Sequence, residues 1–237
     1  MPDLRPSLPS DTQSIPSRSS KGHVPKYVMF ASFGLMALFV LWNNERFLLD
    51  PQAEEWTRYL PIQWHLIPHG LGGTVALVLG ALQFSTRVRR RHPRVHRLSG
   101  KLYIAGTFVA APVAIWMAFI TSPWFLIPFT VIQAGTWMLF TFAAYACIRR
   151  GEVIAHRRWM MRSYAIALIF LEGRVLMAIP ALAREGMDAV VLVNWGCLAV
   201  TLVVTECILH WREIFPTSRP TPSVAPALGA KLTSEPP

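Results

Sequence analysis

Apolar stretches recur along the chain at 27–42, 62–84, 102–120, 124–148, 159–180 and 190–211, with short polar segments between them. Most approach or exceed the roughly 20 residues that carry a helix across about 30 Å of hydrocarbon, and the first is short. A sheet edge exposed to lipid would leave its backbone groups unpaired, so the stretches predict helices. The expected architecture is an all-α, polytopic transmembrane bundle of about six spans. Trp42, Trp64, Trp124, Trp159 and Trp211 fall near the ends of these stretches, where an interfacial aromatic belt would place them. Residues 1–26 hold five prolines and six serines, and residues 212–237 hold six prolines. Neither end can bury a core, so both are expected to be disordered tails. The first apolar run begins only at Tyr27, which reads as a retained anchor rather than a cleaved leader.

Composition supports this pattern. The 237 residues are 53% hydrophobic and 15% charged, against about 25% charged in ordinary soluble domains. The net charge of +10 would suggest nucleic acid in a soluble chain, so its distribution matters. With a cytoplasmic N-terminus, residues 1–26, 85–101, 149–158 and 212–237 lie inside with 18 basic and 5 acidic side chains, a net +13. The outer loops hold Arg46, Arg58 and Arg184 against six acids, a net −3, and the four charges within spans cancel. This asymmetry predicts both termini inside a cytoplasmic (inner or plasma) membrane, with anionic headgroups as partners of Arg87, Arg89, Arg90, Arg91, Arg94, Arg97 and Lys101. The basic run lies beside lipid, so nucleic acid is not an expected partner. Cys147, Cys197 and Cys207 sit in apolar runs without disulfide or zinc spacing.

Ionisable residues at membrane depth are candidates for function. On the second span, His65, His69, Gly72, Ala76, Gly80 and Gln83 fall on one helix face, a polar and small stripe that a helix or a flat ligand can approach. On the fifth, Glu172 and Arg174 lie within roughly 12 Å of the outer end, in the layer of His69. Two residues apart, they point to different sides and each needs a group from another helix. Asn194 and Gln133 are further possible partners. His65, His69, Glu172 and Arg174 form a candidate outer polar site; simple interhelical contacts account for them equally.

A second constellation lies at the inner face. His96-Arg97 is followed by Lys101 and Tyr103, and His156-Arg157 by Arg162 and Tyr164, which suggests two related hairpins. Helix-start hydrogen bonds explain these histidines. They are also candidate axial ligands of haem b, since two neutral imidazoles from different helices bind iron. Glu206 and His210, one turn apart near the inner surface, either join this cluster or reach headgroups.

The runs H-G-L-G-G-T-V-A-L-V-L-G-A-L-Q-F (69–84), R-V-H-R-L-S-G-K-L-Y (94–103) and H-R-R-W-M-M-R-S-Y-A (156–165), with Arg174 beyond, resemble a family of predicted bacterial multi-pass membrane proteins catalogued as a domain of unknown function. The resemblance covers about residues 65–180. It implies that His69, Gln83, His96, Arg97, Gly100, Tyr103, His156, Arg157, Arg162 and Arg174 hold the family's characteristic positions, and it implies no reaction. Helix count and inward histidines resemble cytochrome b561-type proteins in architecture only. His65 and His69 share one helix and no other span offers a histidine at their depth, so only the inner pair suits bis-histidine haem.

Three readings follow: a haem-binding or redox membrane protein using His96 and His156, a transporter or small-molecule binding protein using the outer site, and a non-catalytic assembly partner. No G-x-S-x-G, Walker loop, H-E-x-x-H or C-x-x-C occurs, so hydrolase, P-loop NTPase, zincin and dithiol-oxidoreductase chemistries lack their signatures.

Overall fold

A computed structural model describes residues 24–44, 50 and 52–214. Of the expected tails, 1–26 and 212–237, residues 1–23 and 215–237 lie outside the described residues, as do 45–49 and 51 of the first outer loop, whereas 24–26 open α1 and 212–214 are helical in α10. All regular structure among the described residues is helical: α1 (Val24–Asn44), α2 (Glu55–Tyr59) with the 3-10 turn Leu60–Ile62, α3 (Gln63–Gln83), α4 (Thr86–Arg91), α5 (Pro93–Thr121), α6 (Ile127–Arg149), α7 (Val153–Met177), α8 (Pro180–Arg184), α9 (Met187–Leu209) and α10 (Trp211–Ile214). Among the described residues four helical segments are long and apolar enough to cross a membrane, Leu60–Gln83, Pro93–Thr121, Ile127–Arg149 and Met187–Leu209.

The boundaries have local causes. Pro93, whose missing N–H costs nothing at a helix start, opens α5 nine residues before the apolar run at 102, so the basic residues ride on a helical extension. Ser85 caps α4, its hydroxyl accepting from the Val88 amide at 3.3 Å. Gly151 at φ 80° makes the tight turn between α6 and α7. α7 ends at Met177, just before Ile179-Pro180 starts the short α8.

Packing does not follow apolarity. α7 carries Arg157, Arg158, Arg162, Glu172 and Arg174, yet it is the central helix, touching α1, α3, α6 and α9. It buries nine residues, Met160, Tyr164 and Ile166 among them, whereas the more apolar α3 buries only Gly72, Ala76 and Gly80. A helix shielded by neighbours can hold polar groups that a lipid-facing one cannot. Outward on the four apolar spans stand Leu71, Phe119, Leu139 and Leu192, all more than 60% exposed, a surface suited to hydrocarbon. Trp64 and Trp124 are also exposed near helix ends. Trp159 differs: it is half-buried against Phe140, with the Arg162 guanidinium over its ring at 4.8 Å.

α3 and α5 approach backbone to backbone. A Cβ on Gly106 would stand 2.6 Å from the Gly72 carbonyl oxygen, and one on Gly72 would stand 2.9 Å from that of Gly106. Small residues four apart on both helices permit this.

Candidate functional site

The bundle has a strongly basic end, where α4 meets the starts of α5 and α7. Arg87, Arg90, Arg91, Arg94, Arg97 and Lys101 are exposed there, while Arg89 is half-buried beneath α4. Burial, and then the like charges of Arg157 and Arg90, hold the Arg89 guanidinium below the usual arginine range. Two cations from different helices thus lie within electrostatic reach of each other. The acid nearest in sequence, Glu152, is engaged elsewhere: Arg150 Nε donates to it at 2.8 Å. Neither α5 nor α7 has an acid in its first turn, so both helix N-termini add positive potential.

His96 lies within electrostatic reach of Arg89 and His156. The Nδ1–H of His156 donates to the Ala144 carbonyl of α6 at 2.8 Å, which leaves its Nε2 lone pair available. The Nδ1 of His96 is buried without a hydrogen-bond partner. The structure therefore brings the two inner histidines into one cluster with Arg89 and Arg157.

Above this cluster lies a hydroxyl network. Tyr103 and Ser163 share a hydrogen bond at 2.6 Å, Ser163 and Thr141 share another at 2.7 Å, and Trp137 Nε1 donates to Tyr103 Oη at 3.0 Å. Tyr103, Thr141 and Ser163 are fully buried. Ser163, Thr141 and Trp137 do not stand out in the sequence, because hydroxyl and indole groups hardly disturb an apolar run. Tyr103 and Ser163 each follow their histidine by seven residues, so Ser163, rather than Tyr164, is the counterpart of Tyr103. Tyr164 instead donates to the Leu77 carbonyl of α3 at 3.0 Å.

The stripe on α3 faces α5 along its length. His65 stacks on Trp116 with centroids 3.6 Å apart, and the His69 Nδ1–H donates to the Ala110 carbonyl at 2.9 Å. Gln83 donates to Ser99 at 2.7 Å, and its side chain lies against Gly100. Protein fills the small positions: Gly72 meets the Gly106 backbone, and Gly80 meets the rings of Tyr164 and Tyr103. A flat ligand has no room on that face.

Farther along α7 the polar residues separate. Glu172 accepts from the Thr201 hydroxyl of α9 at 2.7 Å, and the Arg174 guanidinium sits 5.3 Å over the Phe170 ring. No hydrogen bond or ion pair joins His65 or His69 to Glu172 among the described residues. Asn194 lies beside Gly173. On α9 nearer the basic end, Glu206 receives both arms of Arg162 at 2.5 and 2.7 Å and lies 3.3 Å from His210. Glu206 and His210 thus join a pair with Arg162, a partner their one-turn spacing does not reveal. The three cysteines are free thiols, and no group of three or more metal-ligating side chains occurs among the described residues.

Neither the curated proteins nor the solved structures contain a match to this chain. A family model described as predicted membrane protein (DUF2306) matches residues 66–209, from the α3 stripe to the end of α9 and more than half of the chain. The chain belongs to this DUF2306 family of predicted membrane proteins.

Proposed function

We propose that the protein is a six-span membrane protein with both termini in the cytoplasm, and that its basic end binds an anionic, phosphate-bearing ligand. The convergence of Arg89 and Arg157 beside His96 and His156, with the nearby acid already engaged by Arg150, carries this reading. Like charges held near one another repel, neither guanidinium is paired with an acid among the described residues, and an anion from outside the chain would offset that repulsion. Guanidinium forks match phosphate oxygens, and imidazoles add neutral or charged donors. In the proposed orientation this face meets the anionic leaflet, which makes a lipid headgroup the most abundant source.

Thermal unfolding of the detergent-purified full chain tests the reading, with phosphatidylglycerol, phosphatidylcholine or inorganic phosphate added in turn. Phosphatidylglycerol is expected to raise the midpoint and phosphatidylcholine to leave it unchanged, with the rise lost in Arg89→Gln/Arg157→Gln. A rise with inorganic phosphate alone assigns the site to a soluble anion; no rise with any anion, or one retained by the double variant, refutes it. A reporter at residue 237 that is active outside the cytoplasm would refute the orientation.

A second reading rests on the imidazoles themselves. The free Nε2 of His156 and the unpartnered Nδ1 of His96 are donors suited to the iron of haem b, which would supply one-electron chemistry when bound. In the chain, the Ala144 carbonyl would fix the tautomer and ring plane of His156. Haem reconstitution that yields no Soret band, or one indifferent to His96→Ala/His156→Ala, removes this reading.

A further inference from the structure

The carboxyl group of Glu172 is not used by the basic end, and its position within the bundle is unusual. Its bonding partner, Thr201, lies ~21 Å along α9 from Met187 and ~12 Å from Leu209, at a rise of about 1.5 Å per residue. The carboxyl is therefore drawn toward the middle of a helix that is long and apolar enough to span the hydrocarbon. Around it, α9 presents Thr201 and the thiol of Cys197, and no cation. α3 contributes His65 and His69, both turned to α5. Residues 31–43 of α1 hold no titratable group, and the titratable groups of α6, Tyr145, Cys147 and Arg149, lie near its basic-end terminus. On α7 itself Arg174 sits over Phe170, while Arg184 of α8 and Asp188 of the first turn of α9 are exposed. Glu172 forms no ion pair among the described residues, in contrast to Glu206, which Arg162 neutralises.

An ionised carboxylate at that depth with one hydroxyl donor is far costlier than the neutral acid, which returns the hydrogen bond without a charge. We propose that Glu172 is an intramembrane proton-binding site, holding its proton at neutral pH and exchanging it along the α7–α9 seam. The thiol of Cys197 and the hydroxyl of Thr201 line that seam and set the proton's immediate surroundings. This goes beyond anion binding at the basic end and stands independently of it.

Dicyclohexylcarbodiimide, a lipid-soluble reagent, tests the proposal on the full chain in phosphatidylcholine vesicles. A protonated carboxyl adds across its C=N bond and rearranges to a stable N-acylurea, with no leaving group and a gain of one reagent mass. Peptide mass spectrometry is expected to find the adduct on Glu172 at neutral pH, less of it at alkaline pH, and none on Glu206. The infrared spectrum of the wild type is expected to contain a carboxylic-acid carbonyl band that Glu172→Gln lacks. Thr201→Val removes the hydroxyl donor that favours the anion and is expected to extend labelling to more alkaline pH. Absence of the Glu172 adduct, equal labelling of Glu206, or a carbonyl band unchanged in Glu172→Gln overturns the proposal.

Discussion

The contact between α3 and α5 makes a prediction that two neighbouring residues can decide. A methyl on Gly106 would meet the Gly72 carbonyl oxygen at 2.6 Å, whereas ordinary contact begins near 3.4 Å, so the helices must part by about 0.8 Å. The neighbour is backbone on both sides, and no side chain can turn away to absorb the shift. A gap of 0.5–1 Å forfeits roughly a quarter to a half of each dispersion contact along the seam. It also stretches the His69–Ala110 hydrogen bond, because Ala110 belongs to the same seam, 3.3 Å from where a Cβ on Gly72 would stand. Overpacking of this kind costs about 1–3 kcal/mol, so Gly106→Ala and Gly72→Ala are each expected to destabilise by that amount, Gly106→Ala the more. Gly73 is the internal control. A methyl there meets nothing within 4 Å, and replacing a mid-helix glycine gains about 0.5–1 kcal/mol. Unfolding of the detergent-purified protein by heat, or by titration with a denaturing detergent, reads the difference. The Gly72→Ala/Gly106→Ala double variant is expected to cost less than the sum, since the first substitution already separates the helices. Equal destabilisation by Gly73→Ala and Gly72→Ala, or a neutral Gly106→Ala, refutes the close approach as the cause.

Further consequences follow from the polar bonds. Glu206→Gln leaves the Arg162 guanidinium, 15% exposed, without its counter-charge; the cost is about 1–2 kcal/mol, because Glu206 is itself 45% exposed and screened. Arg162→Met/Glu206→Leu is expected to restore most of that stability in the same unfolding assay, and a double variant as unstable as the single one would contradict the pairing. Tyr103→Phe removes the acceptor of Trp137 and the partner of Ser163 inside the core, at about 1–3 kcal/mol, with a changed tryptophan emission; emission and stability like the wild type would show that the network contributes nothing. Hydrogen bonding to Arg150 holds the Glu152 carboxyl below the usual glutamate range. The contribution of that contact is therefore present above the unfolded pKa and fades as pH falls through the folded one. A carboxyl-resolved NMR titration should place Glu152 low, and Arg150→Ala should return it to the ordinary range; the same titration in both proteins would negate the contact.

Periodicity made some of this legible. The six residues of the α3 stripe, read only from their spacing, form the face that packs on α5, because a 3.6-residue repeat directly encodes which side of a helix is polar or small. Hydropathy misleads at α7. Five charges lower its apolar character, and nothing in a local window tells that neighbours surround it. Trp159 shows the same limit: nearness to a helix end suggests the interface but says nothing of its half-buried packing against Phe140 and Arg162. Pair partners are less legible still. Helix rise alone suggests a common layer for His69 and Glu172, but the partner of His69 is a backbone carbonyl, and any residue supplies one. The Tyr103–Ser163 contact is visible only once the register of α5 against α7 is known.

In lipid, apolar side chains do not distinguish one helix neighbour from another, since hydrocarbon solvates them as well as protein does. Specific bonds must then select partners, and in this chain they radiate from α7. His156 reaches α6 through Ala144, Arg162 reaches α9 through Glu206, Ser163 reaches α5 and α6 through Tyr103 and Thr141, Tyr164 reaches α3 through Leu77, and Glu172 reaches α9 again through Thr201. Four helices are thereby fixed in register against a fifth. The polar residues that make α7 a poor span alone are those that fix its place in the bundle. The basic end is different. There, Arg89 and Arg157 lie within electrostatic reach of each other with no acid paired to either among the described residues, so the two guanidiniums add repulsion and no register. The anion proposed for the basic end would offset that repulsion, while His156 keeps its own bond to α6.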